Sequence, residues 1–293
     1  MNTSEPRLLV TGTGGKLGSA IVRYLAAAGT SNVIAASRRP EALSVPSRFE
    51  TRRVDFDDTA SLVSAFAGVE RALIISTDRI DAPGLRIEQQ IAAVEAARAA
   101  GVRHLLYTSM PNPDRSLIPF AADHLETEKA IARSGAGFTI LRVSWYTDNL
   151  LATLASALAS GTWYTAAGNG RINYVPRDDV ARAAAAALAS RSDVRERLDI
   201  TGPEPLSISE IAAIAAKLGA APIEVVQVPD EQRAEGARAA GVPEAFVPIV
   251  AATDANIRAG NFDIASAAVE DLTGAPATSV EAFLAANKIC WQP

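Results

Sequence analysis

The stretch "RLLVTGTGGKLGSAIVRYL" at residues 7–25 constrains this chain more than any other. A short apolar run enters the glycines Gly12, Gly14, Gly15 and Gly18 and leaves as an amphipathic helical pattern. Glycine permits backbone angles and close approaches that a Cβ forbids. Between a strand and a helix, that freedom serves three needs: a tight turn, backbone amides brought against a diphosphate, and close packing of helix on strand. The helix opening near Lys16 points its positive end at the same place. The spacing reads Gly12-x-x-Gly15-x-x-Gly18. It is not a Walker loop, because Leu17 follows Lys16 where serine or threonine would be needed. Gly12, Thr13, Gly14, Gly15, Lys16, Leu17 and Gly18 are therefore the expected contacts to a dinucleotide.

The pattern that follows has a βαβ rhythm. Strand candidates fall at 7–12, 32–37, 50–55, 71–76, 103–109 and 137–144, several of them unbroken apolar runs suited to a sheet covered on both faces. Helical patterns lie between them at 16–28, 58–67, 84–100 and 121–134, three ending at plausible glycine caps, Gly29, Gly68 and Gly101. This predicts an α/β fold, with a Rossmann-type doubly wound parallel sheet over residues 1–148. Beyond 148 helices dominate, and strand candidates become short and scattered at 172–175, 197–201 and 223–228. Residues 149–293 are expected to form a smaller, mainly helical C-terminal substrate region, built onto the sheet without a linker and with some segments returning to it. Ser207-x-x-Glu210 reads as a capping box, and Asp178 and Asp179 as helix caps.

Doubly wound sheets bind ligands at the carboxyl ends of their strands. That singles out Ser37 and Arg38 after the second strand, Asp55 and Phe56 after the third, Ile75, Ser76 and Thr77 after the fourth, and Val143 and Trp145 after the sixth. An acidic residue at the second position would bind a free ribose 2′-hydroxyl. This chain has "ASRRP" instead, and an arginine there can take a 2′-phosphate through charge-assisted hydrogen bonds. The expected cofactor is NADP(H). Asp55 sits where an adenine amino group can be read, since Asp57 and Asp58 are better placed to cap the next helix.

Composition excludes other classes. A net charge of -5 with no Lys/Arg run gives no reason to bind nucleic acid. No apolar stretch is long enough to span a membrane, and no signal peptide is visible at the start. The single cysteine, Cys290, forms no internal disulfide and suits a cytoplasmic protein. His104, His124 and Cys290 lack any metal-site spacing, so no metal is expected.

"LLVTGTGGKLGSAIVRYL", "AASRR", "VDFDD", "HLLYTS", "HLETEKAI", "FTILRVSWYTDNL" and "AGVPEAFVPIVAATDANIRAGNFDIAS" together resemble the NmrA-like branch of the atypical short-chain dehydrogenase/reductases. The resemblance covers nearly the whole chain. It implies an NADP(H)-binding domain with a small C-terminal region closing over the nicotinamide. Some members of the branch reduce quinones or dyes; others bind the dinucleotide as redox-sensing regulators without turnover.

Ordinary short-chain dehydrogenases use Tyr-x-x-x-Lys to move a proton. Four positions after Tyr24, Tyr107, Tyr146, Tyr164 and Tyr174 stand Ala28, Pro111, Leu150, Gly168 and Asp178, so the pair is absent. An epimerase or alcohol dehydrogenase needs such an acid/base pair, which makes an epimerase-like reading the weakest. Hydride transfer to a quinone needs mainly positioning and a dry pocket. The expected activity is thus NADPH-dependent reduction of a quinone-like or dye-like acceptor, with an NADP(H)-sensing regulator as the alternative. The expected partner is a small, aromatic molecule, for which Phe246, Val247 and Ile249 offer apolar surface. Candidate catalytic groups are His124, its tautomer set by Glu128 one turn on, Tyr146 as a donor to a substrate oxygen, and Ser109 at the end of the fifth strand.

Overall fold

Leu8, Leu9 and Val10 offer no polar side to solvent, and the strand they form is buried on both faces. The structure, a computed structural model, describes residues 5–80, 82 and 84–291. Its first half runs β1 (Leu8–Val10), α1 (Lys16–Ala27), β2 (Val33–Ser37), β3 (Glu50–Arg53), α2 (Thr59–Phe66), β4 (Arg71–Ile74), α3 (Leu85–Ala99), β5 (His104–Ser109), α4 (Ala121–Arg133) and β6 (Gly137–Val143). The remainder runs α5 (Asn149–Ser160), β7 (Thr162–Thr165), α6 (Arg177–Ala189), β8 (Arg195–Ile200), α7 (Ile208–Lys217), β9 (Glu224–Gln227), α8 (Asp230–Ala239), α9 (Val247–Arg258), α10 (Ala268–Thr273) and α11 (Val280–Ala286).

Seven strands form one sheet in the order β3-β2-β1-β4-β5-β6-β8. From β3 to β6 every neighbouring pair is parallel. This is the doubly wound α/β fold expected from the βαβ rhythm. The strand order reverses between β1 and β4, and in such sheets the crevice at that reversal takes the ligand. Leu9, Ile34, Leu62, Phe66, Ile74, Val94, Leu105 and Ile140 pack into one buried cluster against the sheet. Each such side chain contributes roughly 1.5–3 kcal/mol on full burial. Two expectations change. Residues 172–175 form no ladder and make only isolated bridges, Ile172 to Leu206 and Val175 to Tyr146. Conversely, Thr162–Thr165, a run of β-branched and aromatic residues too short to stand out in the sequence, pairs in parallel with β9.

The chain divides into two units, and it crosses between them repeatedly. The first holds residues up to Met110, Ala122–Arg142 and Val180–Leu198; the second holds Pro111–Ala121, Val143–Asp179 and the chain from Asp199 onward. Within the first unit, buried Arg71 fastens the returning segment. Its guanidinium donates to the carbonyls of Leu188 (3.1 Å) and Ala187 (3.3 Å), groups that a helix C-terminus leaves unpaired, and to that of Ser192 (2.9 Å) beyond the helix.

Within the second unit, Asn112 donates to the Asn261 carbonyl at 2.9 Å and the Leu117 amide to Asn256 Oδ1 at 2.9 Å, which secures the 111–121 segment. The α8–α9 pair is joined by Arg233–Asp254 (3.0 Å) and a two-pronged Arg258–Asp230 contact (3.0 and 2.8 Å). Asp254 also accepts from Thr165 Oγ1 and the Ala166 amide. Trp291 is buried with its indole N–H on the Leu284 carbonyl. Ser207 and Glu210 close the expected capping box on α7. Asp178 and Asp179 lie inside the first turn of α6 rather than capping it, because the helix already begins at Arg177. Among the described residues, no helix is long and apolar enough to cross a membrane.

His104 is fully buried at the start of β5. Thr139 Oγ1 lies 3.0 Å from its Nε2 and 3.2 Å from Glu196 Oε1; the hydroxyl proton goes to the carboxylate, so Thr139 accepts from Nε2–H. That leaves Nδ1 without a hydrogen-bond partner. Burial first, and Arg71 second, hold the imidazole down at about 4 against an ordinary 6.5, with nearby Asp193 opposing. The folded value lies below the unfolded one, so stability is complete above about pH 6.5 and is lost as pH falls toward 4. Urea midpoints measured across that interval should decline, and His104→Gln should flatten part of the decline. An equally steep curve for the variant would contradict this reading.

Candidate active site

Two glycines of the turn are required for different reasons, Gly12 by its backbone conformation and Gly18 by its close contacts. Gly12 adopts φ +66°, and a Cβ there would meet the Ile75 side chain at 3.5 Å. A Cβ on Gly18 would lie 2.3 Å from the Gly12 carbonyl oxygen and 2.8 Å from Thr13 Cα, so α1 reaches β1 only because residue 18 has no side chain. Thr13 and Leu17 keep their side chains inside, Thr13 Oγ1 donating to the Ala36 carbonyl at 2.9 Å; they offer only backbone outward. Gly12, Gly14, Gly15 and Lys16 are exposed. The N-cap of α1 is Gly15, and no side chain caps the helix. By contrast α2, α7 and α11 are capped by Asp58, Ser207 and Ser279. The first-turn amides of α1 thus remain as donors beside a bare backbone surface, which is what a diphosphate requires.

The end of β2 lies against this turn. Ser37 Oγ would stand 3.6 Å from a Cβ on Gly14, and it accepts from the Arg39 amide at 2.9 Å. Arg38 and Arg39 are exposed, and neither pairs with a carboxylate among the described residues. Asp55 is half committed within its own loop: Oδ2 takes Arg53 at 3.2 Å and Oδ1 takes the Asp57 amide at 3.2 Å. Asp58, not Asp55, caps α2, as the spacing suggested. Phe56 packs against the core cluster.

At the end of β4, the Ile75 amide donates to Thr11 Oγ1 and the Ser76 amide to Thr108 Oγ1. Thr77 is different. Its carbonyl accepts from Arg86 Nε at 2.7 Å, while its own hydroxyl is buried without a partner. An orphaned hydroxyl at the strand-order reversal, next to a glycine turn with uncapped amides and unpaired arginines, fits a phosphate-rich cofactor.

The candidate catalytic groups, and the cofactor candidates that follow β6, divide between the units. His124 and Ser109 belong to the first; Val143, Trp145 and Tyr146 belong to the second. His124 does not meet Glu128. Its Nε2 lies 2.9 Å from Arg86 Nη2 and its Nδ1 lies 2.8 Å from the Tyr107 hydroxyl. Burial and the neighbouring Arg86 charge push its pKa well below the ordinary value, so the ring is neutral. Glu128 is buried elsewhere, gripped by Arg142 Nε (3.0 Å) and Nη2 (2.8 Å) and by Arg197 Nε (3.1 Å). It also receives the Ser109 hydroxyl proton at 2.7 Å, so Ser109 has none left to donate.

In the second unit Tyr146 is half-buried, and its ring lies under the Arg177 guanidinium at 4.7 Å. Arg177 is itself held by Asp148 at 2.6 Å. Burial pushes the Tyr146 phenol up to about 12, with Arg177 opposing. Its hydroxyl makes no hydrogen bond among the described residues. Trp145 tilts against Phe262 at 5.5 Å, and Val143 is buried. Phe246 is exposed, while Val247 is buried at the start of α9. The sequence reading missed Arg86, Tyr107, Arg142 and Arg197. The only local hint was polar Arg86, Gln89 and Gln90 on what proves to be the buried face of α3.

A family profile described as NAD(P)H-binding matches residues 12–191. The chain belongs to this NAD(P)H-binding family, in its NmrA-like branch. It is similar to quinone oxidoreductase 2 of Escherichia coli (strain K12), with 31% identity over 93% of this chain and 96% of that protein. It is also similar to an NmrA-like family domain-containing oxidoreductase, flvB, of Aspergillus flavus, at 30% identity over 77% of this chain and 76% of that one. Among solved structures, Citrobacter sp. triphenylmethane reductase complexed with NADP(H) superposes with a TM-score of 0.86 at 33% identity, covering 94% of this chain and 97% of that chain. As a member of this family the protein is an NAD(P)H-dependent oxidoreductase.

The glycine turn makes a strict demand. Gly18→Ala drives a methyl into the Gly12 carbonyl, so NADPH affinity measured by calorimetry should fall by more than about tenfold, and thermal stability should drop with it. Unchanged affinity would show that α1 need not sit so close.

Proposed function

We propose that this protein is an NADPH-dependent reductase that delivers hydride directly to a quinone-like or dye-like acceptor. The observation that carries the reading is the state of the three candidate donors. Ser109 commits its hydroxyl hydrogen bond to Glu128, and His124 is a neutral ring engaged at both nitrogens. Tyr146 alone presents an uncommitted hydroxyl. A site so poor in acid/base groups suits an acceptor that is already electrophilic and whose reduced form is a stabilised anion. The similar proteins named for quinone and triphenylmethane reduction support the same acceptor class.

The chain's own residues have definite tasks. The amides of Gly14, Lys16, Leu17 and Gly18 hold the diphosphate at the head of α1. Arg38, aided by Ser37, takes the 2′-phosphate, and its lack of a carboxylate partner among the described residues leaves its charge available. Asp55 and Phe56 border the adenine, and Ile75, Ser76 and Thr77 flank the middle of the dinucleotide. Val143 and Trp145 belong to the nicotinamide side. When bound, the reduced nicotinamide supplies the hydride. Tyr146, with its pKa held at about 12, stays protonated at neutral pH and donates a hydrogen bond to the acceptor oxygen. The proton that completes the quinol comes from water or from this hydroxyl.

Steady-state oxidation of NADPH with a panel of benzoquinones, naphthoquinones and triphenylmethane dyes tests the proposal. Turnover is expected with at least one class. Tight NADPH binding with no turnover across the panel would replace it with a sensing role. Tyr146→Phe should lower kcat by about tenfold, because one donor to developing charge is lost while water can still supply the proton. Arg38→Ala should narrow the preference for NADPH over NADH by about tenfold, the worth of one or two charged hydrogen bonds. Equal binding of NADH and NADPH by the unmodified protein would contradict the assignment of Arg38.

A further inference from the structure

The first unit contains a directional chain of buried hydrogen bonds that no dinucleotide motif calls for. Arg86, in the first turn of α3, is only 5% exposed, and burial lowers its pKa. Asp123 Oδ2 stands 3.9 Å from its Nη1. Its Nε instead holds the Thr77 carbonyl at 2.7 Å and its Nη2 meets His124 Nε2 at 2.9 Å. A guanidinium only donates, so His124 Nε2 must accept and the ring proton must sit on Nδ1. From there each sense follows. Nδ1–H donates to the Tyr107 hydroxyl (2.8 Å), Tyr107 donates to Gln90 Oε1 (2.7 Å), Gln90 Nε2 to Thr127 Oγ1 (3.3 Å), and Thr127 to the Asp123 carbonyl (2.7 Å). The chain therefore ties α3, β5 and α4 together and ends, at Arg86, on a backbone carbonyl.

That carbonyl belongs to residues 75–80, which lie in neither helix nor strand. We propose that Arg86 and His124 are positioning residues for the nicotinamide cofactor: His124 locks the Arg86 guanidinium, and Arg86 fixes Thr77 and the backbone around it at the mouth of β4. The proposal deepens the reductase reading and rests on it for the identity of the ligand. A buried arginine kept only for packing would be replaced at lower cost by methionine or leucine. Here its planar fork spans two acceptors, a task lysine or methionine cannot perform. The Thr77 hydroxyl, buried and unpartnered, is left on the turn that Arg86 pins. Protonating His124 would set Nε2–H against an N–H of Arg86, donor against donor and cation against cation. Tyr107 faces the ring from β5, Arg86 from α3 and Asp123 from its own helix. Asp78 lies near Arg86 and Glu128 near Tyr107.

The test uses the full chain. In the unmodified protein, nitrogen-15 spectra should show His124 as the Nδ1–H tautomer without titration between about pH 5 and 8. An Nε2–H tautomer, or a midpoint near the ordinary histidine value, would overturn the lock. In the ligand-free protein, Arg86→Met and His124→Phe should raise amide exchange at Ile75 and Ser76, whose amides donate to Thr11 Oγ1 and Thr108 Oγ1, by about tenfold. The same variants should weaken NADPH binding by about tenfold. His124→Gln keeps an acceptor for Arg86 and a donor for Tyr107, and should stay within about threefold of the unmodified protein in both measurements. Val102→Ala, a cavity in the same unit's core, should lower thermal stability and leave both readouts unchanged. Unaltered exchange and affinity in Arg86→Met and His124→Phe, or equal losses in Val102→Ala, would reduce the chain to packing. An unmodified protein that binds no dinucleotide would sink the reductase reading, while exchange at Ile75 and Ser76 still decides the lock.

Discussion

The structure depends on one close approach, helix α1 laid against the end of β1 with Gly18 touching the Gly12 carbonyl. A helix kept a methyl group further away could not aim its first-turn amides at the strand-order reversal. The neighbouring pieces are set by the same contact. Gly12 is seated on Ile75 at the end of β4, and Gly14 beside Ser37 at the end of β2. A geometric demand at one glycine therefore places three strand ends around a single backbone surface, and the chemistry of the site is what those strand ends carry.

Around that surface the protein spends its buried polar groups on holding rather than on proton transfer. Glu128 gathers Arg142, Arg197 and Ser109; His124 stands between Arg86 and Tyr107. Buried networks of this sort are costly when half satisfied and rigid when complete. Here they engage His124 and Ser109, two residues whose sequence positions suggest donors, in bonds within their own unit. The loss of acid/base capacity and the gain in rigidity come from the same bonds.

Much of this was legible in the residues. The glycine turn, the first six strands and the four helices between them all follow from local pattern, because each need is met within a few residues. Failures occurred where the deciding partner lies far along the chain. His124 and Glu128 are spaced as helix neighbours, yet their partners come from Arg86, Tyr107, Arg142 and Arg197. The apolar 172–175 stretch looks like a strand, but its neighbours allow only single bridges. Thr162–Thr165 consists of strand-favouring residues, but four residues alone do not fix a strand, and it is β9 beside it that completes the ladder. The segment 111–121 belongs to the second unit through Asn256 and Asn261, some 140 positions downstream.

The interleaving of the two units has a consequence for anyone who cuts or recombines this gene. A fragment ending at residue 148 looks like a self-sufficient nucleotide module. It lacks β8, which borders β6 in the sheet, and it lacks the α6 carbonyls that Arg71 grips. Such a fragment would carry a naked, sticky β6 margin and an interior arginine stripped of its acceptors, a recipe for inclusion bodies. Chimeras that exchange the C-terminal half should graft 180–198 with the parent that contributes the first 110 residues, since those nineteen residues fold as part of the amino-terminal unit.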